Sequence, residues 1–149
     1  MTKQQERQLR RRLREAAEQQ PEIEILRELL LDIGGIQLVA PPRPDSVLSL
    51  LIDSGFVMAG PVRCEIMDDS ACHENVARVW SVKQHGIVGI GTGYALSEDD
   101  GLWRAHSWGL LREGVLETTV ERTKYFGILL QGADADLFTQ SNLGSPKRD

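Results

Sequence analysis

The sequence predicts an α+β fold, with helices in the first half and short antiparallel strands in the second. Three observations predict it. Apolar residues recur at helical spacing up to about residue 55, and a further helical stretch opens near residue 72. From residue 87 onward the period changes to that of strands, in short segments bounded by turns. With 149 residues, 41% apolar and 26% charged, the chain has globular composition and enough length to bury a core.

Residues 1–20, MTKQQERQLRRRLREAAEQQ, read as an exposed helix that Pro21 ends. Arg7, Arg10, Arg11, Arg12 and Arg14 cluster there, balanced by Glu6, Glu15 and Glu18. No aromatic residues interleave with them and the net charge is −5, which argues against nucleic acid as a partner. In EIEILRELLLDI (22–33), Ile23, Leu26, Leu30 and Ile33 share one helical face with Leu29 beside it, and Gly34-Gly35 is a stop. A short apolar run, Ile36 to Ala40, meets the breaker PPRP at 41–44. Asp45 or Ser46 caps a second apolar helix, VLSLLIDSGF, which Gly55 ends. These elements carry packing and no chemistry. Residues 1–40 form an N-terminal helical segment that offers a surface for a protein partner or for self-association. No apolar run is long enough to span a bilayer, and the polar N-terminus lacks a secretory core. The expectation is a cytoplasmic protein without membrane contact.

The next helix is CHENVARVWSV, with Val76, Val79, Trp80 and Lys83 at helical spacing. Asp68, Asp69 or Ser70 serves as its N-cap, which puts Cys72 in the first turn. After the break at His85-Gly86 come IVGIGTGYAL (87–96), LWRAHSWGL (102–110), GVLETT (114–119) and KYFGILL (124–130). About four closely spaced strands with short loops imply an antiparallel meander within a core spanning 41–133. Residues 134–149 lack periodicity and read as a loose tail.

Two cysteines, Cys64 and Cys72, make no disulfide framework, and His73, His85 and His106 lack paired metal-ligand spacing. Neither a metal nor a cofactor is expected. A cysteine opening a helix is different: unpaired N–H groups and the positive end of the helix dipole favour the thiolate. Such a thiolate needs a histidine on a neighbouring strand to share its proton. His106 fits, with Trp103 and Trp108 around it as walls of a cleft. If the hairpin pairs Gly109 with Gly114, His106 stands opposite Glu117, with Cβ atoms roughly 4.5–5.5 Å apart. Glu117 would then orient the ring and stabilise the imidazolium. His73 points roughly 100° away from Cys72 around the helix and is a poor partner. His85 reads as a helix cap, and Cys64 as a buried structural thiol. Asn75, three residues after Cys72, helps line the site.

The order of these pieces resembles the transglutaminase-like core of the papain-fold cysteine peptidase superfamily. Cys72 opens a helix, a glycine-led strand runs to Gly93-Tyr94, His106-Ser107-Trp108 gives the His-x-Trp, and Glu117-Thr118-Thr119 supplies an acid followed by threonine. The stretch from Cys72 to Thr119 is roughly a third of the chain. Three positions depart from the family's habit. Glu117 stands for an Asp followed by proline, Gly109-Leu110 for an acidic residue after His-x-Trp, and His73 for a tryptophan after the cysteine. The resemblance implies a papain-like fold with Cys72 as nucleophile, His106 as general acid/base and Glu117 as orienting acid, and it adds Tyr94 to the cleft candidates. It implies acyl transfer on a peptide or amide substrate, with water or an amine as acceptor. The alternative is a non-catalytic protein-interaction module on the same fold.

Overall fold

Thr2 opens the first helix, α1 (Lys3–Gln19), through a reciprocal pair of bonds. Gln5 N donates to Thr2 Oγ1 (3.1 Å) and Thr2 N to Gln5 Oε1 (2.8 Å). Pro21 precedes α2 (Glu22–Ile33), which buries Ile23, Leu26 and Leu30, one stripe at helical spacing. The Gly34 amide closes α2 on the Leu30 carbonyl (3.1 Å). Gly35 continues at φ +76, where a Cβ would also collide with Leu96, Gly101 and Trp103, so only glycine fits this turn. The computed structural model describes residues 1–143. Its remaining elements are β1 (Gln37–Leu38), α3 (Leu48–Ser54), β2 (Phe56–Val57), β3 (Val62–Cys64), α4 (Cys72–Val82), β4 (Gly89–Ser97), β5 (Leu102–Leu111), β6 (Gly114–Glu117), β7 (Lys124–Leu130) and α5 (Gly132–Leu143).

The architecture is α+β with a mixed sheet. Seven strands are present among the described residues, against about four expected; the strands hydrogen-bond in the order β2-β7-β4-β5-β6-β3, with β1 pairing β5 off that path. The additional strands, β1, β2 and β3, have two or three residues, too few to show a two-residue period. The sheet is not a plain antiparallel meander. β4, β5 and β6 are neighbours in chain order, but β7 pairs on the other side of β4, and β1 and β3 pair in parallel with β5 and β6. The connection is long enough for the parallel pairing of β3 with β6, since α4 and two strands intervene along the chain.

Contacts divide the chain into two compact units, neither matching a boundary at residue 40. The first comprises Met1–Val57, Gly93–Ala105 and Arg122–Ile128. In it α2 contacts α1, α3 and β1, and Leu38, Leu48 and Leu51 are buried with the α2 stripe. The second comprises Met58–Thr92, His106–Glu121 and the chain from Leu129. Its core joins Val76, Val79 and Trp80 of α4 to Ile90, Leu116 and Ala135, with Met67, Leu111, Leu130 and Phe138 at the margin. The expected loose tail is a helix over most of its length: α5 packs on α4, and Asp136 Oδ1 accepts the Trp80 indole N–H (2.8 Å). The amphipathic signal of α5 is weak because little of it besides Ala135 and Thr139 is buried. Residues 144–149 lie outside the described residues. Among the described residues no helix is long and apolar enough to cross a membrane.

Candidate active site

The start of α4 places the thiol. Cys72 is its first residue, with Ala71 at the N-cap and no side-chain cap, so none of Asp68, Asp69 and Ser70 takes that role. The segment before the helix is tied instead through Asn75, whose Nδ2 donates to the Asp68 carbonyl (2.8 Å) and the Thr118 carbonyl (3.5 Å). Uncapped first-turn amides keep the positive end of the helix at Cys72. The α4 C-terminus turns on Lys83 at φ 54. His85 therefore does not cap it; its Nδ1 lies 3.4 Å from Arg63 Nη2 and 3.8 Å from Glu65 Oε2.

The β5–β6 hairpin places the histidine and the acid. Its register is Gly109↔Leu116, Leu110↔Val115 and Leu111↔Gly114, around a turn at Arg112-Glu113. This is two residues away from a Gly109–Gly114 pairing. A slip of two keeps every side chain on its face, whereas a slip of one would reverse them. Continuing the register, His106 stands opposite Thr119 and diagonal to Glu117, still on one face. The His106 Nε2 to Glu117 Oε1 distance is 2.8 Å, with both side chains buried. Glu117 Oε2 accepts from Thr119 N (2.9 Å) and Thr119 Oγ1 (3.0 Å). Both oxygens of this buried carboxyl group therefore have hydrogen-bond partners, as burial of a polar group demands.

The thiol of Cys72 hydrogen-bonds the His106 ring and the Ser107 amide. With Nε2 committed to Glu117, the ring has Nδ1 left to offer the cysteine. Burial pushes the Cys72 thiol up, but the His106 hydrogen bond and charge, aided by the Ser107 amide, outweigh it and hold it below the ordinary thiol value. Burial likewise opposes charging of His106, yet the bonds to Cys72 and Glu117 and their charges raise it above an ordinary histidine. Both directions favour a thiolate–imidazolium pair. Cys64 is the contrast. It is exposed, not buried as expected, and slight desolvation of its thiol together with the neighbouring Glu121 raises it above an ordinary thiol; its Sγ lies 3.7 Å from Glu121 Oε1.

The structure thus brings Cys72, His106 and Glu117 together within the second unit. The four cleft candidates are fully buried. Trp108 stacks on the His106 ring, centroids 6.0 Å apart at 29°, and its indole N–H donates to Met58 Sδ (3.3 Å). Gly91 makes room for that indole, since a Cβ there would collide with Trp108 Nε1. Trp108 therefore backs the histidine and exposes no wall to solvent. Asn75 is the tether just described. Tyr94 and Trp103 belong to the first unit, where Tyr94 Oη donates to Asp45 Oδ2 (2.8 Å) and Trp103 Nε1 to the Gly34 carbonyl (2.9 Å). The three aromatics are buried in this structure, because aromatic bulk in a strand reads the same in a core as in a cleft.

Sequence reasoning missed the second donor set on Glu117 and the role of Ser107. The Glu117-x-Thr119 spacing was visible, but its meaning, a threonine closing back on the carboxylate, is not. The Ser107 contribution comes through its amide and carries no side-chain signature. Among the described residues no cluster of His, Cys, Asp and Glu is arranged to hold a metal. Comparison with family models, curated proteins and solved structures found no match for the chain.

Proposed function

We propose that this protein is a thiol-dependent acyl-transfer enzyme, an amide or peptide hydrolase or an acyltransferase, on a transglutaminase-like, papain-like core. One observation carries the reading: a thiol at a helix start hydrogen-bonds a buried histidine whose Nε2 lies 2.8 Å from a buried glutamate. Glu117 holds the Nε2 proton, which leaves Nδ1 to exchange a proton on the side of Cys72.

The chemistry follows from that polarity. Cys72 Sγ attacks an amide carbonyl carbon, forming a C–S bond while the carbonyl electrons move to oxygen. The Cys72 amide at the start of α4 is one donor for that oxyanion. Collapse breaks the C–N bond, His106 passes its proton to the departing amine, and a thioester remains. Water or an amine then attacks the thioester, His106 takes its proton, and the C–S bond breaks to restore the thiolate. Two free cysteines are compatible with a reducing, cytoplasmic setting.

The test is labelling by an electrophilic thiol probe in wild type, Cys72→Ala and Cys64→Ala. Fast labelling that persists in Cys64→Ala and disappears in Cys72→Ala is expected. Equal, slow labelling of both cysteines would remove the nucleophile and with it the proposal.

A further inference from the structure

His73 follows the nucleophile and points elsewhere. Its ring is exposed at the protein surface, but Nδ1 lies 2.6 Å from Ser107 Oγ, and Ser107 Oγ lies 2.8 Å from Thr92 Oγ1. Ser107 is fully buried and Thr92 nearly so. A polar chain therefore runs from α4 through β5 to β4, inside the second unit. Alternation along β5 sends the Ser107 side chain to the face opposite His106. That face carries Ile90 and Leu116, the residues on which α4 packs. The Ser107 side chain thus binds the helix from one side, while its amide meets the Cys72 thiol.

The chain's hydrogen-bond arithmetic is closed. A Ser107 proton serves either His73 Nδ1 or Thr92 Oγ1, and the remaining neighbour then donates to Ser107 Oγ. Buried hydroxyls satisfied on both sides have little freedom to rotate, and an edge contact with Phe138 (ring centroids 6.3 Å, 66°) fixes the His73 ring from α5. The distance between the helix start and β5 is consequently set at the residue immediately after the nucleophile.

We propose that His73 is a positioning residue: through Ser107 it holds β5 against the start of α4 and keeps the Ser107 amide on Cys72 Sγ. The inference rests on the acyl-transfer reading of Cys72 and names the residue that tunes its nucleophile. His73 itself does not exchange protons with the thiol in this scheme.

The measurement is the pH profile of iodoacetamide alkylation at Cys72, read by peptide mass spectrometry, alongside thermal unfolding of each variant. His73→Phe keeps the ring and its contact with Phe138 but loses the bond to Ser107. His73→Asn restores a polar atom at the same number of bonds from Cα as Nδ1. Ser107→Ala removes the hydroxyl while leaving the amide. Loosening a hydrogen bond to a thiolate raises its pKa, so His73→Phe and Ser107→Ala should alkylate about three- to ten-fold more slowly at pH 7, with the midpoint moved up. His73→Asn should lie near wild type, and the double variant should be no slower than either single. Lower thermal stability with an unchanged midpoint would reduce His73 to a packing residue and overturn the proposal, as would additive effects in the double variant. An ordinary thiol midpoint in wild type overturns the catalytic reading as well. A low wild-type midpoint that His73→Phe does not move overturns this inference alone.

Discussion

Glu117→Gln is the sharpest single perturbation of the site, because it changes charge and donor pattern with almost no change in shape. The carboxylate takes His106 Nε2–H at 2.8 Å on one oxygen and two Thr119 donors at 2.9 and 3.0 Å on the other. An amide has one acceptor to offer. If its oxygen stays with Thr119, its NH2 faces His106, and a bond forms only when Nε2 gives up its proton. The ring proton then sits on Nδ1, towards Cys72, where it can no longer accept from the thiol. If the oxygen stays with His106, the NH2 confronts two donors in a buried site, a cost of about 1–3 kcal/mol. Either way the imidazolium loses its anion. A charge-assisted hydrogen bond contributes about 1.5–3 kcal/mol, and 1.36 kcal/mol is one pKa unit, so His106 should fall by about one to two units. The Cys72 thiolate depends on that charge and should become about ten- to a hundred-fold less populated at neutral pH. The assay is iodoacetamide alkylation of Cys72 against pH, with Cys64 in the same molecule as reference. A Glu117→Gln profile that superimposes on wild type would show that the acid does not act through the ring.

In wild type Cys72 should alkylate with a midpoint below the ordinary thiol value of about 8.5 and Cys64 with one above it; the reverse order would contradict both environments. Turnover should follow a bell in pH. Activity rises as pH passes the lowered Cys72 value and falls as His106 loses its proton, at a pH above the ordinary histidine value of about 6.5 because its pKa is raised; a falling limb below that value would count against the assignment. Gly91→Ala forces a methyl onto Trp108, which Met58 and His106 hold in place, and should cost about 1–3 kcal/mol or more by denaturant unfolding; a neutral substitution would show that the indole moves freely. Tyr94→Phe should lower stability by about 1 kcal/mol through loss of the Asp45 bond while leaving the Cys72 midpoint unchanged, and a moved midpoint would return Tyr94 to the site.

Much of the fold was legible where a period runs long enough to count. The 22–33 helix has the expected bounds, and the strands expected at 102–110 and 124–130 appear as β5 and β7 within a residue. The two- and three-residue strands were invisible for the opposite reason: their existence depends on partners such as Trp103 and Glu117, which lie far away in the chain. α5 was hidden because its sequence presents no apolar stripe, and only packing against α4 defines a buried side. Burial was the weakest inference for cysteine and the aromatics. Cys64 faces solvent on a short strand, while Trp103, Trp108 and Tyr94, offered as cleft walls, are core. Composition cannot separate a buried wall from an open one.

The site was legible for a reason that does not require the right register. Pairing Gly109 with Gly114 was off by two residues, yet His106 and Glu117 still bond, because a shift of two preserves face and converts a direct neighbour into a diagonal one. Glutamate suits that diagonal. Its extra methylene reaches further than aspartate's carboxyl, and the Thr119 amide and hydroxyl hold the oxygen that does not meet the ring. The length of Glu117, the threonine two residues on and the observed register therefore form one geometric unit. Glu117→Asp is the corresponding test: shortened by a methylene at a fixed register, the carboxylate should lose either His106 or Thr119, and Cys72 reactivity at pH 7 should fall by about ten-fold, one charge-assisted bond's worth. Wild-type reactivity in Glu117→Asp would mean that the diagonal has slack, and that the length of the acid is not what matches it to the hairpin.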